Sequence, residues 1–275
     1  MPRTVGWIRQ FHKPDSPERP PLLVFPHAGS GASAYRDFSK VLSGKFTVLV
    51  FQYPGRQDRA GEAPLPSLPA MAAAAFEEFS RSEHNRGIPI VTFGHSMGAL
   101  IAFEFVRIAE SSGIDVRQLN VSAAVAPSLV AAKPPHPTDD DAILNHLATL
   151  EGTETDVFAN RELMRLALPV IKADYQAFDA YDCAADVKVA APIQAMGGDQ
   201  DPYVTLGDLY GWGKHTDRVT VTVFDGGHFY LADHVGAVAE LLTAPADCAV
   251  SSATRRDGRT NPHTGGDVHV SSESA

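Results

Sequence analysis

Ser96 lies in Gly94-His95-Ser96-Met97-Gly98, between the apolar run Ile88 to Phe93 and a helix-forming run from Ala99 to Ala109. A serine hydroxyl serves as a nucleophile when its backbone holds it clear of the sheet. A sharp strand-to-helix turn does this by straining the serine itself. Glycines on both sides let the strand and helix backbones approach where larger side chains collide. A chain with 22 glycines produces G-x-S-x-G by accident easily enough. Its position between a buried strand and a helix is what marks Ser96 as a nucleophile.

A serine needs a base, and the base needs an orienting acid. His95 adjoins Ser96, but neighbours on a sharp turn point apart. His228 is the better base: it follows Gly226 and Gly227 just after the apolar run Val219 to Phe224, where a parallel sheet ends. The alternative is an ordinary surface-loop histidine. For the acid, Gly198-Asp199-Gln200-Asp201-Pro202 follows the run Pro192 to Met196. Asp201 is favoured because Pro202 restricts its backbone. Asp199 remains the rival, with turn closure as its other role. The order Ser96, Asp201, His228 is that of α/β-hydrolases and differs from both common serine-protease orders.

Acyl transfer also requires donors for a tetrahedral oxyanion. The Met97 N–H, at the start of the helix after the nucleophile, supplies one. The loop Pro26-His27-Ala28-Gly29-Ser30-Gly31, after Leu22 to Phe25, supplies the second through Ala28. His27 could be catalytic, but bracing this loop suits it better. The glycines do not make a phosphate cradle, since neither G-x-x-x-x-G-K-[ST] nor G-x-G-x-x-G occurs.

These residues need a scaffold. Seven β-like runs can be read: Thr4 to Phe11, Leu22 to Phe25, Phe46 to Phe51, Ile88 to Phe93, Leu119 to Ala126, Pro192 to Met196 and Val219 to Phe224. Helical patterns fall between them at Ala34 to Leu42, Ala70 to Ser80, Ala99 to Ala109, Leu206 to Lys214 and Val235 to Leu242. Such alternation predicts an α/β domain, a mostly parallel sheet covered by helices on both faces. One interval breaks the rhythm, residues 127–190. Thr138 and Asp141 resemble a capping box opening one helix. Asn160 can cap a second, in which Leu163, Leu166, Ala167, Val170, Ile171 and Phe178 share a face and Pro169 introduces a kink. This pair reads as a helical lid, with Leu163, Leu166, Val170 and Phe178 as substrate-facing candidates, or else as extra core helices. The domain is expected over residues 1–244, and Pro245 to Ala275, with no aromatic residue, reads as a disordered tail.

Composition narrows the function further. A 275-residue chain that is 44% hydrophobic can bury one sizeable core. The net charge of −10 excludes a basic nucleic-acid stripe. Over Pro127 to Ala185, ten acids face four bases (Lys133, Arg161, Arg165, Lys172), leaving −6 there. No secretory h-region follows the N-terminus, and Val121 to Ala132 is too short to span a bilayer. Cys183 and Cys248 have neither metal nor disulfide-framework spacing, as in a reduced cytoplasmic protein. No metal site and no cofactor are expected.

Taken together, Leu23-Val-Phe-Pro-His-Ala-Gly29, Gln52-Tyr-Pro-Gly-Arg56, Phe93-Gly-His-Ser-Met-Gly98, Leu168-Pro-Val-Ile-Lys-Ala-Asp-Tyr175, Gly198-Asp-Gln-Asp-Pro202 and Gly226-Gly-His-Phe-Tyr-Leu231 resemble type II thioesterases. These are stand-alone α/β-hydrolases associated with polyketide synthases and nonribosomal peptide synthetases. The resemblance runs in order from about Leu22 to Leu242. It departs at Gly29-Ser30-Gly31, where the family commonly has adjacent glycines. It implies hydrolysis of acyl thioesters on the phosphopantetheine arm of acyl or peptidyl carrier proteins, by a monomer that removes stalled or wrongly primed groups. Spacing and composition alone reach a serine hydrolase acting on an acyl compound. An esterase or lipase on free small esters and a non-catalytic hydrolase-fold binding protein are the alternatives. Because such carriers are acidic, a basic strip near the pocket mouth is expected, drawing on Arg161, Arg165, Lys172 and Arg56 or Arg59.

Overall fold

The computed structural model describes residues 6–151, 161–244 and 254–256, with the backbone alone at 151, 161–166 and 254–256. Its strands are β1 (Ile8–Arg9), β2 (Pro21–Phe25), β3 (Thr47–Phe51), β4 (Ile90–His95), β5 (Val116–Ser122), β6 (Ile193–Gly198), β7 (Val219–Phe224) and β8 (Thr254–Arg256). They form one sheet in the order β1-β3-β2-β4-β5-β6-β7-β8. The edge strand β1 runs antiparallel, with Ile8 opposite Phe51. Every other pairing is parallel. A strand overlaps each of the seven expected runs, although the first run, Thr4 to Phe11, yields only Ile8–Arg9 and its residues 4–5 lie outside those described; β8 adds an eighth from within the segment read as a disordered tail. The rest of that segment, from 245 onward, lies outside the described residues.

Helices are α1 (Arg36–Leu42), α2 (Leu68–Arg81), α3 (Met97–Ser111), α4 (Asp140–Glu151), α5 (Arg161–Asp179), α6 (Leu206–Tyr210) and α7 (Leu231–Thr243). The period-2 alternation of β2 sorts them into layers. Leu23 and Phe25 join the core built with α2 and α3, whereas Leu22 and Val24 join the one built with α1 and α7. All four side chains are fully buried, each stabilising the fold by about 1.5–3 kcal/mol. Several strands, β2 and β3 above all, therefore read as nearly all-apolar runs, because water reaches neither face.

β5 differs from expectation. It begins three residues earlier, at Val116, and ends at Ser122. Ala123 adopts a positive φ of 48° and turns the chain out of the ladder. Residues 123–126 stay apolar because they remain buried after the strand has ended.

Both lid helices lie between β5 and β6, as expected. Ile143 and Leu144 of α4 meet Leu168, Ile171 and Tyr175 of α5 in a small core of their own. The α4 start is corrected by one residue. Asp139 Oδ1 accepts from the N–H groups of Asp141 and Ala142, both at 3.1 Å, so Asp139 and not Thr138 caps the helix. Helix α5 continues through Pro169, and its expected cap, Asn160, lies outside the described residues.

Close approach of backbones fixes how α3 crosses the sheet. A Cβ on Gly98 would overlap the carbonyl oxygens of Phe25 and Pro26, and one on Gly94 would overlap the Gly98 carbonyl and the Ala99 Cα. Backbone atoms in a sheet cannot yield as a flexible side chain can. Gly98→Ala is expected to destabilise the protein by about 3 kcal/mol or more, measured by urea unfolding. Gly44→Ala, whose added Cβ meets nothing within 4 Å, should fall within about 1 kcal/mol of the parent. Equal losses at both positions would show that close packing is not the reason for Gly98.

Candidate active site

Ser96 occupies the turn from β4 to α3 with φ 53° and ψ −125°. This is a costly conformation for a residue with a Cβ, and it persists because the surroundings over-determine it. The Ser96 N–H is held by the Ser122 carbonyl at 2.8 Å across the parallel β4–β5 pair. α3 begins at Met97, so its first free N–H and its positive dipole end adjoin the hydroxyl.

His228 and Asp201 come together. His228 Nδ1 is 2.7 Å from Asp201 Oδ2, and the Asp201 side chain is wholly buried. The other carboxylate oxygen, Oδ1, accepts from the N–H groups of Tyr203 at 2.9 Å and Val204 at 3.2 Å. Asp201 is thus locked from both sides. Asp199 Oδ1 instead accepts from the Gly226 N–H at 3.1 Å, closing the histidine loop against β6. Of the two aspartates, Asp201 contacts the His228 ring and Asp199 contacts the loop backbone. Gly198 permits this, since a Cβ there would overlap the carbonyl oxygens of Gly226 and Gly227.

Ser96 and His228 line one cavity of about 730 Å³, together with Ala28 and Met97. Among the described residues, no protein acceptor takes the N–H of Ala28 or Met97. The loop carrying Ala28 is braced at several points. The Tyr35 hydroxyl lies 2.9 Å from His27 Nδ1 and accepts from the His27 N–H at 3.3 Å. Gln52 Oε1 accepts from Ala32 N–H at 2.7 Å. His27 thereby takes the bracing place expected of it.

The imidazoles of His27, His95 and His228 form a cluster. The His95 ring lies 5.4 Å from that of His228 and 5.6 Å from that of His27, with Phe229 packed against all three. Burial, reinforced by the positive potential of His228, pushes His27 down to about 3 and His95 well below its ordinary value. Both are therefore neutral at neutral pH. His95 points away from Ser96, with Nδ1 2.9 Å from Ser122 Oγ, itself 2.7 Å from the Tyr230 hydroxyl. This buried chain ties the nucleophile strand to the histidine loop. Pattern reasoning missed it, because Ser122 and Tyr230 carry no local signal.

The lid supplies the apolar side of the cavity through Leu147 of α4 and Ala167, Ile171, Tyr175 and Phe178 of α5. Phe178 lines the cavity. Val170 does not line it: the helical stripe through 167, 171, 175 and 178 lies about 100° from Val170 around the axis. The side chains of Leu163 and Leu166 lie outside the described residues. His136 stacks on Tyr175 at 4.0 Å and His146 meets Tyr203 at 4.6 Å, giving that side an aromatic rim.

Neither Arg56 nor Arg59, the two arginines offered as additions to the expected basic docking strip, is exposed. Arg56 is buried and paired with Asp174 at 2.8 Å. Arg59, equally buried, pairs with Glu62 and donates to the Gln52 carbonyl at 2.8 Å. Lys172 pairs with Asp140. The side chains of Arg161 and Arg165 lie outside the described residues. Local pattern gives Asp174 no role, although an acid three residues after Ile171 on an apolar helix face is a visible signal. Burial pushes its carboxyl up, and Arg56 opposes that rise. Removing one partner of such a buried pair costs about 3–5 kcal/mol.

Comparison with known proteins adds to this geometry. Residues 20–245 match the family model described as a thioesterase domain. The phenyloxazoline synthase MbtB of Mycobacterium tuberculosis is 42% identical over 246 residues, which cover 89% of this chain but 17% of the synthase. Thioesterase PikA5 of Streptomyces venezuelae is 39% identical, over 82% of this chain and 80% of its own. The solved structure of the type II thioesterase BorB, from the borrelidin biosynthetic cluster, superposes with a TM-score of 0.75 at 40% identity, covering 87% of this chain and 99% of that one. The architecture is the α/β-hydrolase fold with a helical lid inserted after β5.

The buried histidines make stability depend on pH. In the unfolded chain each binds a proton near 6.5, whereas folded His27 and His95 stay neutral until the pH is far lower. Their contribution is complete above about 6.5 and is lost as the pH falls below it, by up to about 1.4 kcal/mol per pH unit for each histidine. Urea-unfolding free energies should decline from pH 7.5 to pH 5, and His95→Asn should make that decline shallower by about one proton. An unchanged slope would contradict the neutral state of His95.

Proposed function

The chain belongs to the thioesterase family, and we propose that it hydrolyses acyl thioesters carried on the phosphopantetheine arm of acyl or peptidyl carrier proteins. The observation that carries this reading is the His228–Asp201 contact of 2.7 Å at a lid-covered cavity that Ser96 also lines. The aspartate fixes the imidazole tautomer with Nε2 unprotonated, the state in which the ring can accept a proton from serine. In the proposed reaction the thioester carbonyl carbon enters beside Ser96, and its oxygen accepts from the N–H groups of Met97 and Ala28.

Ser96 Oγ attacks as His228 Nε2 takes its proton. The tetrahedral intermediate collapses, the C–S bond breaks, and the thiolate leaves with the proton returned by His228. Water then attacks the acyl-serine, His228 again taking and returning a proton, and the free carboxylic acid departs. Asp201 stabilises the transient imidazolium throughout. The neutrality of His27 and His95 matters here, since a second imidazolium at about 5 Å would oppose the first. The apolar cavity suits the acyl chain, and its volume matches that of typical small-molecule sites. Polyketide and nonribosomal peptide systems are the proposed setting, with the enzyme acting as a cytoplasmic monomer that meets its carrier transiently.

Ser96→Ala is expected to reduce kcat for acyl-carrier thioesters by about 10⁴-fold or more. Asp201→Asn should lower kcat by about 10³- to 10⁴-fold, and Asp199→Asn by far less. Steady-state hydrolysis of acyl-carrier thioesters, acyl-pantetheine thioesters and matched oxygen esters checks both points. A higher kcat/KM on free oxygen esters than on carrier-bound thioesters would instead identify an esterase.

A further inference from the structure

Asp174 is a lid residue whose side chain has no exposure at all, and neither of its oxygens faces the cavity. Oδ2 accepts from the Gly29 N–H at 2.8 Å, and Oδ1 accepts from Arg56 Nη2 at 2.8 Å. Gly29 follows Ala28, the proposed oxyanion donor, and its φ of +72° leaves a bare face. Ile171, one helical turn before Asp174, occupies that face, where a Cβ on Gly29 would overlap it. Helix α5 therefore touches the donor loop twice at one residue, once by packing and once by a charge-assisted hydrogen bond.

The consequence for Ala28 follows from peptide geometry. In a trans peptide the N–H points opposite to the preceding C=O. The His27 carbonyl is engaged by the Ser30 N–H at 3.2 Å, which directs the Ala28 N–H the other way. With the Gly29 amide also fixed by Asp174, the two peptide planes flanking the Ala28 Cα have little freedom to rotate. Arg56 holds the carboxylate in place. Its guanidinium lies 5.1 Å from the Tyr53 ring centroid, and its carbonyl accepts from Gln52 Nε2 at 3.0 Å. Gln52 also grips Ala32 at the far end of the same loop.

We propose that Asp174, held by Arg56, is a positioning residue that orients the Ala28 N–H for the oxyanion while the lid helix is seated. A displaced lid releases Gly29 and with it one oxyanion donor, so the oxyanion site is complete only when the acyl chain is covered. This rests on the reading of Ala28 and Met97 as oxyanion donors. It assigns a polar role to a lid whose apolar face alone would only shield substrate.

The test separates transition-state from ground-state recognition in the full-length chain. A trifluoromethyl ketone bearing an acyl chain forms a tetrahedral adduct with Ser96 whose oxygen needs both donors. A pantetheine thioether of the same chain binds without one. Asp174→Asn, and the apolar pair Asp174→Leu/Arg56→Met as a variant free of a stranded buried charge, are compared with the parent. The expected result is that ketone affinity and kcat fall together by about 10- to 100-fold in both variants. Thioether affinity and KM should change by less than about threefold, and the apolar pair should recover the melting temperature without recovering kcat. Parallel losses for ketone and thioether, or restored kcat in the apolar pair, would overturn the proposal in favour of a purely structural ion pair. The ketone requires only an activated Ser96 and an oxyanion site, so the comparison stands even for an enzyme that prefers oxygen esters. Absence of thioester hydrolysis by the parent would sink the thioesterase reading alone, whereas absence of a ketone adduct would sink both.

Discussion

The contact between Gly98 and the carbonyl oxygens of Phe25 and Pro26 is the constraint on which the site is built. It presses the first turn of α3 against the end of β2, where any side chain on Gly98 would intervene. β2 and β4 are neighbours in the sheet, with Phe25 opposite Gly94. The strained Ser96 turn and the loop carrying Ala28 therefore leave the sheet side by side. Ser96 and Ala28, from segments about seventy residues apart in the chain, are brought to one cavity by this backbone packing.

The same logic repeats on the other side of Ser96. β6 and β7 end together, and Gly198 lets the aspartate loop lie against the histidine loop. Parallel strands deliver their C-terminal loops to one edge, so each glycine at a strand end converts sheet adjacency into side-chain proximity. Rigidity then follows from polar contacts that are individually modest. Asp201 is held by two N–H groups as well as by His228, and Ser122 joins His95 to Tyr230. A catalytic group held this way loses little entropy on reaching the transition state.

The electrostatics of the site depend on keeping charge scarce. Two of the three clustered imidazoles are neutral through burial, and the third, His228, is the one in contact with a carboxylate, that of Asp201. The buried Arg56–Asp174 pair lies apart from that cluster and supports a different segment. Such a pair contributes less to stability than to specificity of arrangement, because desolvation offsets much of its Coulombic attraction. Here the arrangement it specifies is the seat of a lid helix on a loop.

Much of this was legible in the residues themselves. The order of the first seven strands, the lid interval and the Ser96, Asp201 and His228 motifs follow from local rules. Glycine spacing, apolar runs and proline restriction act within a few residues of chain, so reading along the sequence suffices for them. What tertiary structure alone decided was burial and long-range partnership. Arg56 looked like a surface cation for docking, yet it pairs with an aspartate 118 residues away in sequence. Val170 reads in sequence as part of the apolar face of Phe178, yet the helix turns it off the stripe that lines the cavity. β5 ended early because of a backbone turn at Ala123, which the apolar residues 123–126 concealed. Residue type sets what a side chain can do, while the packing of distant segments sets its dielectric surroundings and its partner, and so determines whether a charge meets solvent, substrate or another buried charge.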